Sequence, residues 1–199
     1  MNPDRFNGVN AAMLLIDHQV GTMSWVRSAP LEEIKKYTVV LAKAARALNM
    51  PVILTSSMEE QAQGPLMPEL QEILPEAFAA RVKRFGVVDA MDDENFAAAV
   101  KATGRRNLIM AGITTDVCIV YPAITAVQQG YSVQVVVDAC GSPTKIADEV
   151  ALRRMERAGV TLTSTNQLIA ELAQKWTTVE GGKLIEILFN DVLSKLGPS

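Results

Sequence analysis

Short β-type runs recur along the chain at residues 13–16, 52–55, 108–113, 133–137 and 161–164, most of them separated by stretches whose apolar positions fall three or four apart. Runs of that length read as buried strands, and their alternation with helical periodicity predicts a parallel sheet covered on both faces. The first helix is legible in Leu31, Ile34, Thr38, Leu41, Ala45 and Leu48, with Glu32, Lys35 and Lys43 off the stripe and Pro51 stopping it. Residues 92–103 begin acidic and end on Lys101 before Gly104, the charge order a helix dipole favours, and predict a helix directly before the strand at 108. Residues 144–158 predict another, with Ile146, Val150, Leu152 and Met155 apolar and Gly159 as its C-cap.

Two regions break the alternation. Residues 56–75 carry Gly64, Pro65, Pro68 and Pro75 and predict a long loop with a short helix around 68–73. Loops of that length often lie over a site. Residues 177–182 form a polar, glycine-containing spacer, after which Leu184, Ile185, Leu188, Phe189, Val192, Leu193 and Leu196 recur at helical spacing. Such a face either folds back on its own domain or docks on a partner, and the spacer gives it reach.

Of 199 residues, 49% are hydrophobic and 21% charged, which excludes general disorder and fits one packed domain. The net charge is -3 and no basic cluster exceeds a dipeptide such as Arg105-Arg106, so a nucleic-acid partner is not expected. Residues 117–137 carry no formal charge, but Pro122 and the polar segment 128–132 interrupt them, so they read as a buried helix, a turn and a strand rather than a membrane span. The first apolar run, 11–16, has no cationic segment before it and no cleavage signal, so no signal peptide is expected. Two cysteines, Cys118 and Cys140, are too few for a disulfide framework and fit a reducing cytoplasm.

In open α/β sheets the ligand crevice lies beyond the carboxyl ends of the strands, which draws attention to Asp17 and Gln19 after the first strand and to residues 113–118 after the fourth. Cys118 is expected about three residues inside a helix N-capped by Thr115, where backbone N–H groups and the helix dipole favour the thiolate. The plainer reading is a small buried hydrophobe. Pro122 cannot donate to the Cys118 carbonyl, so the first turn should be distorted where the thiol sits. Asp17 read plainly is a strand-terminating carboxylate. His18, the one histidine, points to the opposite face of an extended chain, so a Cys-Asp arrangement is favoured over Cys-His.

The segment Leu14-Leu15-Ile16-Asp17-His18-Gln19, followed by Ala111-Gly112-Ile113-Thr114-Thr115-Asp116-Val117-Cys118, resembles the isochorismatase-like cysteine hydrolase superfamily and its YcaC-type bacterial branch. The likeness continues through residues 64–66 and 90–96 and spans most of residues 8–170. It implies a three-layer α/β/α, Rossmann-like fold with a six-stranded, mostly parallel sheet, and a triad of Asp17, a basic residue and Cys118. Relatives of this branch carry an arginine before a short glycine-ending pair, which selects Arg84 of Arg84-Phe85-Gly86 over Lys83. The two face opposite ways in an extended segment. A cis peptide is implied at Ile113-Thr114, with the N–H groups of Thr114 and Cys118 aimed at a developing oxyanion and Gln19 among the substrate contacts.

The chain also departs from parts of this superfamily. Nicotinamidases carry an Asp-X-His metal cluster after the second strand, where this chain has Thr55-Ser56-Ser57-Met58-Glu59-Glu60, so neither a metal nor a cofactor is expected. True isochorismatases lack the nucleophilic cysteine, so the superfamily name is not read as the activity. The implied activity is hydrolysis of a small amide or related carbonyl compound through a Cys118 thioester. The alternative is a redox or ligand-binding protein using Cys118 without turnover. Cys140 follows a strand toward the same crevice, although neither cysteine belongs to a Cys-X-X-Cys pair. A dinucleotide enzyme is disfavoured because no Gly-X-Gly-X-X-Gly follows the first strand. The expected organisation is a hydrolase domain over residues 1–180 and a C-terminal helix over 181–199 serving as an oligomerisation arm. A ring-like homo-oligomer, tetramer or octamer, follows by the same resemblance.

Overall fold

The computed structural model describes residues 5–196. At its centre lies β1 (Ala11–Ile16), buried at all six positions, and next to it β4 (Asn107–Gly112), buried at all but its first. Both read as unbroken apolar runs because helices cover both faces of the sheet. The remaining strands are β2 (Val52–Ser57), β3 (Val82–Arg84), β5 (Ser132–Val136) and β6 (Thr161–Thr163). The order is β3-β2-β1-β4-β5-β6, and every pairing is parallel. The chain runs outward from β1 to β3, returns to the middle at β4, and runs outward again to β6. The carboxyl ends of β1 and β4 therefore flank the crevice where the winding reverses. There Ile16 pairs with Gly112, and a Cβ at Gly112 would stand 2.2 Å from the Ile16 carbonyl oxygen, so only glycine lets the two ends close up.

Between the strands lie α1 (Val20–Met23), α2 (Leu31–Ala47), α3 (Pro68–Ile73), α4 (Pro75–Ala79), α5 (Glu94–Ala102), α6 (Val120–Gln128), α7 (Lys145–Arg157), α8 (Thr165–Ala173) and α9 (Val179–Asp191). Helices α2, α8 and α9 pack together as one layer, and α6 and α7 pack together in the other. The predicted stripe of α2 is buried at Ile34, Thr38, Leu41 and Ala45. Helix α5 starts two residues later than its sequence pattern suggests, because the Asp93 carboxylate caps the N–H groups of Asn95 and Phe96. In α7 the expected stripe is only partly buried: Met155 faces the core beside Ala151, which the stripe did not include, whereas Ile146 and Val150 stay exposed.

The C-terminal helix differs from its expected place. Residues 181 and 182 lie inside α9, which begins at Val179 with the Thr178 hydroxyl capping the Gly181 N–H at 3.0 Å. Gly181 serves close packing, since a Cβ there would lie 2.1 Å from the Lys175 carbonyl oxygen. Leu184 and Leu188 are buried, and Lys43 of α2 pairs with Asp191 at 2.8 Å. The helix thus folds back on its own domain and leaves only its outer side, with Phe189, Leu193 and Leu196, exposed.

The short edge strand β3 has no apolar run of its own, which is why periodicity missed it. A carboxylate holds it instead. Glu59 accepts from Arg81 Nε (2.6 Å), Ser56 Oγ (2.7 Å) and Lys83 Nζ (2.8 Å), clamping the turn after β2 to the start and the middle of β3. Hydrogen bonds from Arg81 first, then from Lys83 and Ser56, pull the Glu59 pKa from its ordinary 4.5 to about 2.

Two stability predictions follow from these contacts. Leu188→Ala should cost about 2–5 kcal/mol in urea unfolding, as at other buried leucines, whereas a free-standing arm would leave the midpoint unchanged. Because the folded-state pKa of Glu59 is depressed, its contribution is fully present above pH 4.5 and is lost as pH falls toward about 2. Glu59→Gln should therefore lower stability at neutral pH and flatten the acid limb in that window. An acid limb identical to that of the unaltered protein would refute the clamp.

Candidate active site

Asp17 leaves the end of β1 with φ +56°, a left-handed conformation that aspartate tolerates better than most residues, while its N–H still donates to the Thr55 carbonyl at 2.9 Å. Arg84 closes β3 and turns inward. Its Nη2 donates to Asp17 Oδ2, its Nε to Thr55 Oγ1 at 3.0 Å and its Nη1 to the Val87 carbonyl at 2.6 Å. Lys83 points the other way, to Glu59, so of the two candidate cations only Arg84 meets Asp17. Both members of the Asp17–Arg84 pair are 1% exposed.

Cys118 follows β4 in a π-type turn over Thr115–Ile119 that precedes α6. The distortion expected from Pro122 is present as this wide first turn, in which the Ile119 N–H reaches back to the Thr114 carbonyl at 3.2 Å. The Ile113-Thr114 peptide is cis. Thr114, not Thr115, occupies the N-cap position, and no side chain caps the turn. Thr115 is pinned by its N–H to the Gly141 carbonyl at 3.0 Å, and its hydroxyl is buried without a partner.

Asp17, Arg84, Cys118 and Thr114 meet at a cavity of 340 Å³ whose apolar walls include Trp25, Met58, Val88 and Val117. A larger hollow of 580 Å³ beside α2, α3 and α4 holds none of these groups. Gln19 also lines the cavity, but its amide is committed to backbone. It accepts from the Ser57 N–H (2.8 Å) and donates to the carbonyls of Ser57 (2.9 Å) and Gly64 (2.5 Å). It anchors the loop that forms one wall.

The electrostatics overturn the expectation of a lowered thiol pKa. Burial, then the charge of Asp17 and its hydrogen bond, push the Cys118 thiol well above its ordinary value, against weaker opposition from the Thr114 N–H and Arg84. Burial likewise raises Asp17, opposed by Arg84. The turn at Cys118 supplies too little positive potential to outweigh its desolvation. His18 is fully buried against the Ala139 carbonyl at 3.0 Å, its pKa lowered to about 4 by burial, and it takes no part in the cavity. Both cysteines are free thiols. Cys140 donates to the Val136 carbonyl at 3.2 Å and accepts from the Gly112 N–H at 3.4 Å. No group of three or more His, Cys, Asp and Glu side chains suited to a metal ion occurs among the described residues. No helix among them is long and apolar enough to cross a membrane.

Sequence reasoning gave no role to Thr22, Trp25, Met58 or Asp116, all of which line the cavity. Asp116 stands two positions before Cys118 in the motif itself, which was the available signal. The other three lie on the segments after β1 and β2, where no local pattern marks them.

Comparison with known proteins identifies the family. Residues 11–167 match the isochorismatase domain. The probable hydrolase YcaC of Escherichia coli is 39% identical over 178 residues, covering 89% of this chain and 85% of its own. A solved structure of YcaC from Pseudomonas aeruginosa, with hexane-2,5-diol and covalent acrylamide, superposes with a TM-score of 0.90 at 38% identity over 98% of this chain and 95% of that one. The E. coli YcaC structure, described as an octameric hydrolase of unknown specificity, gives 0.89 at 35% identity over 98% and 94%. With the domain match covering most of its length and its fold shared with both YcaC structures, the chain belongs to the isochorismatase-like hydrolase family.

Proposed function

We propose that the protein hydrolyses a small amide or related carbonyl compound through a thioester on Cys118. The observation that carries this reading is the placement of the Cys118 thiol against Asp17 and Arg84 at the floor of a 340 Å³ cavity. Asp17 Oδ2 is taken by Arg84, whereas Oδ1 is buried with no other hydrogen-bond partner and is the oxygen left for the thiol proton. In the proposed cycle Asp17 removes that proton as sulfur attacks the carbonyl carbon, and the carbonyl oxygen becomes an oxyanion facing the N–H groups of Thr114 and Cys118. Collapse breaks the C–N bond, and the amine leaves with the proton from Asp17. Water then adds to the thioester, gives a proton to Asp17, and releases the acid as that proton returns to sulfur. Arg84, a permanent cation, transfers no proton and favours the ionised form of Asp17. The covalent acrylamide in the Pseudomonas relative supports a reactive nucleophile in that protein, since acrylamide bonds covalently to nucleophiles through its alkene. Cys140, buried beneath the end of β4 and absent from the cavity wall, gives a redox reading no support.

We further propose a ring-like homo-oligomer in a cytoplasmic setting, by analogy with the octameric E. coli relative and with two free thiols in the chain. Its contacts would use exposed apolar positions such as Ile146 and Val150 on α7 and the outer side of α9.

The test of the first reading is ammonia release from a panel of small primary amides, with intact-mass detection of the acyl-enzyme. Cys118→Ala should abolish both signals, and Asp17→Asn should reduce turnover by about 10²–10⁴ in protein shown by circular dichroism to be folded, at a lower stability because Arg84 loses its counter-charge. Cys140→Ala should leave both nearly intact. Because burial raises Asp17, the acid limb of the rate profile should lie above its ordinary 3.8. An Asp17→Asn protein of full activity would remove the proposed base. For assembly, light scattering at micromolar concentration should return a multiple of 21.5 kDa, and a particle of that single mass would overturn the oligomer.

A further inference from the structure

One residue of β2 holds both members of the Asp17–Arg84 pair. Thr55 is fully buried, its carbonyl accepts the Asp17 N–H at 2.9 Å, and its hydroxyl oxygen accepts the Arg84 Nε–H at 3.0 Å. That hydroxyl has a single hydrogen, which it donates to the carbonyl of Val82, its register partner at the start of β3, at 2.8 Å. The direction of the hydroxyl is thereby set, with a lone pair left for Arg84. Strand pairing on both sides of β2 and the branching at Cβ restrict where the oxygen can lie. Arg84 Nη1 and Nη2 are held by the Val87 carbonyl and by Asp17. Two anchors define a line, about which a planar guanidinium can still swing. The third anchor, at Nε, stops that swing and fixes the angle at which Nη2 meets the carboxylate.

We propose that Thr55 is a positioning residue of the site: its hydroxyl sets the plane of Arg84 and, through that plane, the contact that keeps Asp17 ready to accept the Cys118 proton. Thr55 does not line the cavity, so it acts through the pair and not on a substrate. The inference deepens the hydrolase reading and rests on it for the role of Asp17 as base. Besides burial, the groups that act on Asp17 are Arg84 from β3 and Cys118 from the turn after β4. His18 is turned to the Ala139 carbonyl and Lys83 to Glu59, while Asp116, on the cavity wall, is left in place by every variant below. A poorly aligned Arg84 leaves the burial of Asp17 less opposed, so the carboxylate takes up a proton at higher pH. Replacing the Thr55 side chain leaves its backbone bond to Asp17 intact, so the substitution isolates the Arg84 half of the arrangement.

The experiment follows Cys118 alkylation by iodoacetamide, read by intact mass and peptide mapping, across the acid limb of its pH profile. Thr55→Val keeps the branched shape and removes the hydroxyl. Its limb should move up by about half a unit to one unit, a loss of roughly three- to tenfold in rate below the midpoint. Thr55→Ser returns the oxygen and should recover most of that loss. Leu188→Ala, a destabilised control in α9, should lower the unfolding midpoint and leave the limb in place. If Thr55→Val does not fold, Thr55→Ala removes the same hydroxyl with less bulk. On the unaltered protein, heteronuclear NMR should show the Arg84 Nε–H exchanging with water far more slowly than that of the exposed Arg153. An unmoved limb in a folded variant lacking the hydroxyl, or an equal shift in Thr55→Ser or Leu188→Ala, would overturn the proposal. So would an Arg84 Nε–H that exchanges as freely as that of Arg153, or a Cys118 that no pH renders reactive. A shifted limb in a protein that hydrolyses no amide would leave the role of Thr55 standing and remove the hydrolase reading alone.

Discussion

A guanidinium withdrawn from water is tolerated only where its donors are satisfied and a counter-charge stands beside it, and the Asp17–Arg84 pair imposes that requirement on the whole carboxyl end of the sheet. To meet it, the chain turns left-handed at Asp17, places the Thr55 hydroxyl under Arg84 Nε, and curls the segment after β3 so that the Val87 carbonyl receives Nη1. The strand carrying Arg84 is only three residues long and sits at the edge, so pairing with β2 alone holds it weakly. The Glu59 clamp supplies the remaining restraint. Gln19 performs the matching task on the other side of the loop, bracketing Ser57 and Gly64. The cavity wall is thus built from polar groups that spend their hydrogen bonds on backbone and on one another.

Much of this was legible before any coordinates. Five strands announced themselves as β-type runs, most plainly β1 and β4, because a strand buried on both faces has few polar positions to hide it. The stripe of α2 gave four of its seven buried residues, and the short helix at Pro68–Ile73 followed from its prolines. What stayed hidden was held by long-range contacts. β3 exists through Glu59, Arg81 and Lys83, not through apolar periodicity. Residues 181–182 looked like a hinge because glycine marks both flexibility and close approach, and only the position of the Lys175 carbonyl separates the two. The state of Cys118 was misjudged for a similar reason. A helix start is visible in sequence, whereas the depth of burial that opposes thiolate formation is not.

A protonated resting thiol is compatible with a nucleophilic role once the charge of the group is considered as a whole. Carboxylate, guanidinium and thiol together carry no net charge, and neither do carboxylic acid, guanidinium and thiolate. Losing the Cys118 proton to bulk water would leave a buried excess negative charge, which is why its pKa is driven up. Passing the proton to Asp17 creates no excess, because negative charge only moves from one oxygen to a neighbouring sulfur. In the proposed reaction the same burial that forbids free ionisation raises the proton affinity of Asp17 and makes it a better base for this transfer. Arg84 limits that rise and so favours the ionised carboxylate.

Among the described residues the one cation lining the cavity, Arg84, is spent on holding Asp17, and its neighbour Lys83 is directed to Glu59 instead. The rest of the wall includes the apolar side chains of Trp25, Met58, Val88 and Val117. In the proposed complex a small amide would turn its carbonyl toward the N–H groups after β4, and its aliphatic portion would displace water from Trp25, Met58 and Val117. Displacing that water lowers the local dielectric around the Asp17–Cys118 pair, so the proton transfer that starts the proposed reaction is best shielded when a substrate of this kind is in place.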